Sequence, residues 1–422
     1  MTYQTPRGTY DILPDEIYKW HDVEDKIRNI AEKYCYEEIR TPYFESTGVF
    51  ARENDSSDMV NKEMYSFMSG DESYTLRPEG TAGVIRSFDQ HKFYGSMELP
   101  AKFYYVGPMF RHERPQKGRQ RQFTQFGVEN IGVKSPEIDA ETIALGVSII
   151  KSLGIQSYKV LINTLGDDAS RSAYREALKA HFKDHLDELC GDCHRRYEQN
   201  PLRILDCKVD HDNPIVQSAP QLSDYLNEES KEYFQRVLNA LDALGIPYEI
   251  DNRLVRGLDY YTHTVFEVVS TRKDSGAQAT VFAGGRYDHL VEYFGGPELS
   301  GMGFAIGLER LLMLATEEGY EFTLPKELDA YVISLGNVGS TPLVIANKLR
   351  DKGYKCEVNM TARSLKAQFK SADRNKAKYI IILGEDELKE GVVNLKNTAT
   401  REQVTVSIDD IEKQITSLFS ST

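Results

Sequence analysis

Apolar residues Ile17, Trp20, Val23, Ile27, Ile30 and Tyr34 recur at three- and four-residue steps, which predicts an amphipathic helix opened by Pro14 and Asp15. Strand patterning follows at 37–43, ended by Pro42, and again at 74–77, before a second apolar-periodic helix. Residues 103–110 are aromatic and β-prone, and 122–131 read as a second strand, separated by a loop that Pro115 and Gly118 keep from being helical. Side chains alternate across a strand, so Gln125, Gly127 and Glu129 share one face while Phe126 and Val128 share the other. A core strand would not put two polar side chains and a glycine on one face. A pocket floor would.

Further on, 138–153 is patterned as a helix and 159–164 as a buried strand. Residues 167–227 are charged, with few strand signals, and read as a mostly helical insertion. A β-branched and aromatic strand runs to 269 after the turn Arg256-Gly257-Leu258-Asp259, and a glycine-flanked strand at 304–306 leads into a helix carrying Glu309 and Arg310. The polar stretch 317–326 is a linker. Beyond it strands and helices alternate: 331–335, 342–352, 355–358, 364–375, 378–383, 404–408 and a terminal helix, an α/β pattern.

Length allows two or three domains, and the 40% hydrophobic and 27% charged fractions are those of a soluble globular protein. No apolar run reaches the roughly 18 residues of a membrane span, and the N-terminus has no apolar stretch after a basic start, so no secretory signal is expected. Five cysteines fit free thiols in a reducing cytoplasm. The net charge of −14 argues by itself against a nucleic-acid partner. Residues 326–422, however, hold 15 basic and 13 acidic side chains, which is compatible with a local RNA contact.

Several residues carry candidate chemistry. The loop 111–121 holds Arg111, His112, Arg114, Lys117, Arg119 and Arg121; the planar guanidinium pairs with phosphate through two parallel hydrogen bonds, although a solvated basic hairpin tip gives the same pattern. Glu79, at a strand end and a helix start, suits either an ammonium ligand or a helix cap. Cys190, Cys193, Cys207 and His211 could hold zinc or be buried thiols; haem attachment through Cys190-Gly191-Asp192-Cys193-His194 requires an exported context that the chain does not display. Gly301, Gly303 and Gly307 have the wrong spacing for a dinucleotide fingerprint. Arg363, Lys366, Lys370 and Arg374 fall on one face of a helix, with Leu365, Phe369 and Ala372 opposite, a solvated stripe by default.

The segment from Phe110 to Phe123, with Gln125, Gly127 and Glu129, resembles motif 2 of class II aminoacyl-tRNA synthetases in the form found in histidyl-tRNA synthetases. The first helix and strand resemble motif 1, which in that family builds a dimer interface; an ordinary helix on a sheet is the alternative. The segment 299–314 resembles motif 3, while 253–269 and 283–296 resemble two signatures specific to the histidine enzymes. Five motifs in order cover essentially the whole chain.

The resemblance implies an α+β catalytic domain on an antiparallel sheet over 1–325, with the insertion at about 167–227, and an α/β anticodon-binding domain over 326–422. It implies ATP-dependent attachment of histidine to tRNA(His) through a histidyl-adenylate, with Mg²⁺ on the phosphates, in a cytoplasmic homodimer with no membrane or DNA partner. Arg256 and Arg111 are implied as catalytic cations. Glu79, Thr81, Gln125, Glu129, Arg256, Tyr260, Tyr261 and Tyr287 are implied around histidine, with Gly284 and Gly285 allowing close approach. Arg111, Glu113 and Arg310 are implied at ATP, and Arg114, Gln116, Lys366, Lys370 and Arg374 at the tRNA; no residue is assigned as a metal ligand. The rival is a catalytically silent relative serving as regulatory subunit of ATP phosphoribosyltransferase. Such relatives typically lack the C-terminal domain and degrade the ATP-contacting arginines, and here both are present.

Overall fold

The computed structural model describes residues 3–51, 59–116, 118–207, 209–255, 260–272, 280–361 and 363–420. The chain divides into two compact units, Met1–Thr323 and Leu324–Thr422.

The first unit contains strands β1 (Glu37–Glu38), β2 (Phe44–Ser46), β3 (Tyr65–Ser69), β4 (Glu72–Leu76), β5 (Ala101–Phe110), β6 (Gln122–Ile131), β7 (Tyr158–Thr164), β8 (Tyr248–Ile250), β9 (Thr262–Ser270), β10 (Thr280–Tyr287) and β11 (Gly301–Gly307). Eight of them form one sheet in the order β1-β5-β6-β11-β10-β9-β7-β8. It is antiparallel except at its two edges, where β1 pairs with β5 and β7 with β8 in parallel. Strands β2, β4 and β3 make a small separate sheet.

One face of the large sheet carries the main core. Phe126 and Val128 on β6, Met302, Phe304 and Ile306 on β11, and Phe282 on β10 pack there against helices Ile17–Lys33, Pro136–Ser152, Glu228–Ala243 and Leu308–Glu317. The apolar stripe of the first helix is spent on this contact: Trp20, Val23, Ile27 and Ala31 are buried within the chain itself. Burying each such side chain stabilises by about 1.5–3 kcal/mol, and helix Pro136–Ser152 is further fixed by Ser135, whose side chain accepts from Glu137 N, with proline in the first turn.

The expected strand 37–43 is shorter. Only Glu37–Glu38 joins the sheet, because the Arg77 guanidinium takes up the backbone further on, donating to Thr41 O at 3.1 Å and Thr41 Oγ1 at 3.2 Å. The segment 74–77 is part of a hairpin with β3 that the pattern did not reveal, and the strand ending at 269 begins at Thr262.

The insertion is built from helices Asp168–Phe182 and Gly191–Gln199 with short helical turns, around its own core of Leu178, Phe182, Leu189, Leu202, Ile204 and Leu205. The same cluster includes Leu254, Tyr261 and Val265 of the sheet region.

The second unit has β12 (Ala330–Ser334), β13 (Cys356–Val358), β14 (Tyr379–Leu383), β15 (Val392–Asn397) and β16 (Gln403–Ser407) in the order β13-β12-β14-β15-β16. The first three are parallel and the last two antiparallel. Strand β15 was not anticipated: its buried Val393 and Leu395 alternate with Asn394 and Lys396, residues that strands disfavour. On helix Leu365–Arg374 the positions of Lys366, Lys370 and Arg374 are exposed. Leu365 is exposed too, contrary to the expected apolar face. Gln368 takes the buried place, bonding Ser334 N at 3.1 Å and Ser334 O at 2.9 Å and so tying the helix to β12.

Candidate active site

The pocket lies on the face of the large sheet opposite the main core. Its floor follows from strand register. Gln125 pairs with Gly307, Gly127 with Ala305 and Glu129 with Gly303 across β6 and β11. Ala305 pairs in turn with Ala283, and Gly303 with Gly285, on β10. Small residues on three adjacent strands leave a cavity of about 300 Å³, lined by Glu79, Thr81, Gln125, Tyr260, Tyr261 and Tyr287 toward one end and by Arg111, Glu113, Arg119, Glu309 and Arg310 toward the other. Gly284 turns away from it; a Cβ there would overlap β11 around Phe304.

Glu129 is the most enclosed acid of the floor, 1% exposed. Thr81 Oγ1 donates to its Oε1 at 2.6 Å and Tyr287 OH to its Oε2 at 2.5 Å. Burial pushes its carboxyl up to about 8; the two hydroxyl donors oppose that rise and the neighbouring Glu79 adds to it. The carboxylate has room because residue 303 is glycine: a Cβ there would overlap Glu129 Oε2. Gly127 does the same for Tyr105, whose buried ring lies where a Cβ would be. Tyr260 and Tyr261 pack with their rings tilted by 60° at 4.9 Å between centroids, and Tyr260 meets Tyr287 edge-on at 5.9 Å. Tyr287 lines the cavity although it is only 1% exposed, and Glu129 lies behind it, bonded to the two lining hydroxyls of Thr81 and Tyr287.

Glu79 performs the capping role expected of its position: its Oε1 accepts from Ala82 N at 3.0 Å at the start of helix Thr81–Gln90. It also lines the cavity, so capping does not remove it from the site. Gln125 Oε1 is buried with no hydrogen-bond partner among the described residues, an acceptor facing this cavity.

The other end is cationic. Arg111 donates from Nε to Pro78 O at 2.8 Å and stacks over Phe123, with Nη1 3.8 Å from Glu113. Arg119 Nη1 lies 3.3 Å from the second oxygen of Glu113. Arg310 bridges Gly118 O at 3.0 Å and Thr280 O at 2.9 Å; burial first, then repulsion from Arg119, lowers its pKa. Glu309 is pushed up to about 7 by burial while accepting from Thr124 N at 2.8 Å.

Thus the structure gathers Glu79, Thr81, Gln125, Tyr260, Tyr261, Tyr287, Arg111, Glu113 and Arg310 around one cavity, with Glu129 bonded behind Thr81 and Tyr287. Arg256 lies outside the described residues, as does Lys117. Arg114 and Gln116 are exposed on the loop, where Gln116 and Arg119 exchange backbone hydrogen bonds. Tyr105, Arg119 and Glu309 were missed as pocket residues. Arg119 sat in the basic run without distinction; the signal for Tyr105 was its cross-strand register with Gly127. Of the cysteine set, His211 is exposed and its Nδ1 lies 2.9 Å from Asp212, while Asp210 joins Cys190, Cys193 and Cys207 instead.

Comparison with known proteins identifies the family. A family model described as histidyl-tRNA synthetase matches residues 8–311, and one described as an anticodon binding domain matches 329–418. Histidine--tRNA ligase of Listeria monocytogenes is 52% identical over 410 residues, 96% of either chain. That of Bacillus cytotoxicus is 51% identical over 412 residues, 97% of either chain. The crystal structure of apo S. aureus histidyl-tRNA synthetase superposes with a TM-score of 0.82 at 42% identity, covering 98% of this chain and 100% of that one. The chain belongs to the histidyl-tRNA synthetase family.

Proposed function

We infer that the protein joins histidine to tRNA(His) in two steps: the carboxylate of histidine attacks the α-phosphate of ATP, giving histidyl-adenylate and diphosphate, and the terminal ribose of the tRNA then takes the histidyl group and releases AMP. The observation that carries this is a single cavity with a carboxylate and tyrosines at one end and convergent arginines at the other. Relatives of about half identity along the whole chain, together with the matched C-terminal domain, favour it over the regulatory-subunit reading.

In this reading Glu129 accepts a ring N–H of histidine, held by Thr81 and Tyr287, while Tyr261 bonds the other side of the ring and Tyr260 walls it. Glu79 and Thr81 meet the amino group and Gln125, with its unpartnered oxygen, the amino end of the substrate. A site that hydrogen-bonds its substrate rejects analogues by roughly 10⁴ or more, because its own polar groups would be left unpaired. In-line displacement spreads charge over the phosphate oxygens, so fixed cations do most of the catalysis. Arg111, Arg256 and Arg310 supply them, and Glu113 orients Arg111. The carboxylates of Glu113 and Glu309 at that end are hard oxygen ligands of the kind Mg²⁺ takes alongside phosphates, and the ion, when bound, adds positive charge there.

Arg114 and Gln116 belong to the acceptor end of the tRNA, and Lys366, Lys370 and Arg374 to its anticodon region. The division into a catalytic domain, 1–325, and an RNA-binding domain, 326–422, is part of the same reading. The homodimer draws support from the small sheet, where Phe44, Phe67 and Met68 are exposed and Phe44, Phe67 and Tyr74 cluster; a second copy would cover them. Among the described residues no helix is long and apolar enough to cross a membrane, and a cytoplasmic location fits five free thiols. The test is histidine-dependent exchange of diphosphate into ATP, followed by charging of tRNA(His). Exchange without charging would remove the RNA role; neither activity would remove the reading.

A further inference from the structure

The helical insertion contains a group of side chains that the proposed reaction does not use. Cys190, Cys193, Cys207 and Asp210 offer one ligand atom each, all within 4.8 Å of one another. Their spacing is Cys-x₂-Cys followed, after thirteen residues, by Cys-x₂-Asp, two knuckles of the kind zinc sites use. Cys193 is 0%, Cys207 3% and Asp210 7% exposed, amid Leu189, Leu202, Ile204 and Leu205.

Two of the ligand–ligand distances match a tetrahedral site. With a metal–sulfur bond of about 2.3 Å and metal–oxygen of about 2.1 Å, a tetrahedron places two sulfurs about 3.8 Å apart and a sulfur and an oxygen about 3.6 Å apart. Cys190 Sγ and Cys207 Sγ are 3.7 Å apart, and Cys207 Sγ and Asp210 Oδ2 3.6 Å. The backbone holds this arrangement without the metal. Cys190 N donates to Asp210 Oδ2 at 3.0 Å, and Cys193 N and His194 N turn back to Cys190 O at 2.9 and 3.2 Å, the tight turn of a knuckle. Cys190 occupies the N-cap position of helix Gly191–Gln199, so the positive end of that helix lies at the ligand set.

We propose that Cys190, Cys193, Cys207 and Asp210 bind one Zn²⁺ as a closed structural site. Four protein ligands leave no position for substrate, so the ion staples the segment 189–210 and takes no part in chemistry. Binding replaces the thiol protons: up to three leave to solvent as three sulfur–zinc bonds form, and no electron is transferred. The ion braces the insertion core, which is continuous with Tyr261.

The test uses the full chain, untagged, produced with added zinc and then dialysed against metal-free buffer. Elemental analysis should return about one zinc per chain, and Co²⁺ exchange should give thiolate charge-transfer absorption with the visible bands of a tetrahedral ion. Cys193→Ser with Cys207→Ser should lose both signals, Asp210→Ala should weaken zinc affinity by at least about tenfold, and His211→Ala should change neither. Should the double variant fail to fold, titrating the native protein with a mercurial decides: zinc should be released in step with three thiols. Zinc-free protein with no cobalt bands, a Cys190–Cys207 disulfide in the isolated protein, zinc retained in the double variant, or loss of zinc on His211→Ala would each overturn the site.

Discussion

Gly303 and Glu129 are Cα partners on adjacent antiparallel strands, and the absent side chain of one is the space occupied by the carboxylate of the other. A methyl at 303 would meet the backbone oxygen of Val128 as well, so Gly303→Ala should part β11 locally from β6 and displace Glu129 from Thr81 and Tyr287. Misplacement of a site group by about 1 Å costs on the order of 10²-fold, so kcat/KM for histidine in diphosphate exchange should fall by about that factor, with a much smaller change in KM for ATP. Equal losses for both substrates would mean that the strand, not the carboxylate, has moved.

The raised pKa of Glu129 predicts two pH effects. The unfolded carboxyl ionises near 4.5 and the folded one at about 8, so the folded state holds an extra proton between them. Stability from this group is thus full below about 4.5 and lost as pH rises toward 8. Glu129→Gln should gain Tm relative to the parent protein between pH 5 and 8 while losing histidine activation; a constant Tm difference across that range would remove the shift. Histidine, by donating a ring N–H, favours the ionised carboxyl, so binding near pH 7.5 should release protons. Calorimetry in buffers of different ionisation enthalpy reads this directly, and proton uptake would refute it.

Neutralising Lys366, Lys370 and Arg374 together should raise KM for tRNA and lower the salt dependence of binding by about one slope unit per phosphate contact removed. Diphosphate exchange should be unchanged, because these side chains are exposed on a helix of the C-terminal unit. A parallel drop in exchange would mark the stripe as structural.

Arg286 on β10 and Asp139 on helix Pro136–Ser152, both fully buried, pair with each other, with Thr264 donating to Asp139 at 2.6 Å and Tyr233 at 3.1 Å. Removing one charge strands the other, so Asp139→Asn should cost about 3–5 kcal/mol in denaturant unfolding. Asp139→Leu with Arg286→Met should recover part of that loss. If the double change is worse than the single one, the hydrogen bonds outweigh the charge pair.

The polar face of residues 125, 127 and 129 was legible from strand alternation alone, because period-two patterning places side chains without any tertiary knowledge. The helices were legible from their own period of 3.6 residues. What escaped depends on partners distant in sequence. Arg77 replaces a ladder at Thr41, Asp210 rather than His211 meets three thiols, and Gln368 rather than Leu365 faces inward. Each is settled by which polar atom finds a partner in the fold, a quantity that local pattern does not contain. Arg310 and Tyr287, singled out by motif resemblance, line the cavity, whereas Glu129 lies behind Thr81 and Tyr287, a detail that the motifs do not contain.

Strands β6, β10 and β11 present the pocket on one face and Phe126, Phe282 and Phe304 to the core on the other. The floor of the cavity therefore cannot be remodelled loop by loop. Enlarging it for another amino acid, or for a resistance mutation against an inhibitor seated there, means changing residues whose backbone neighbours hold up the domain. Variants that escape an inhibitor seated on that floor should carry a folding defect, and those with second-site changes should place them among the core phenylalanines rather than around the rim.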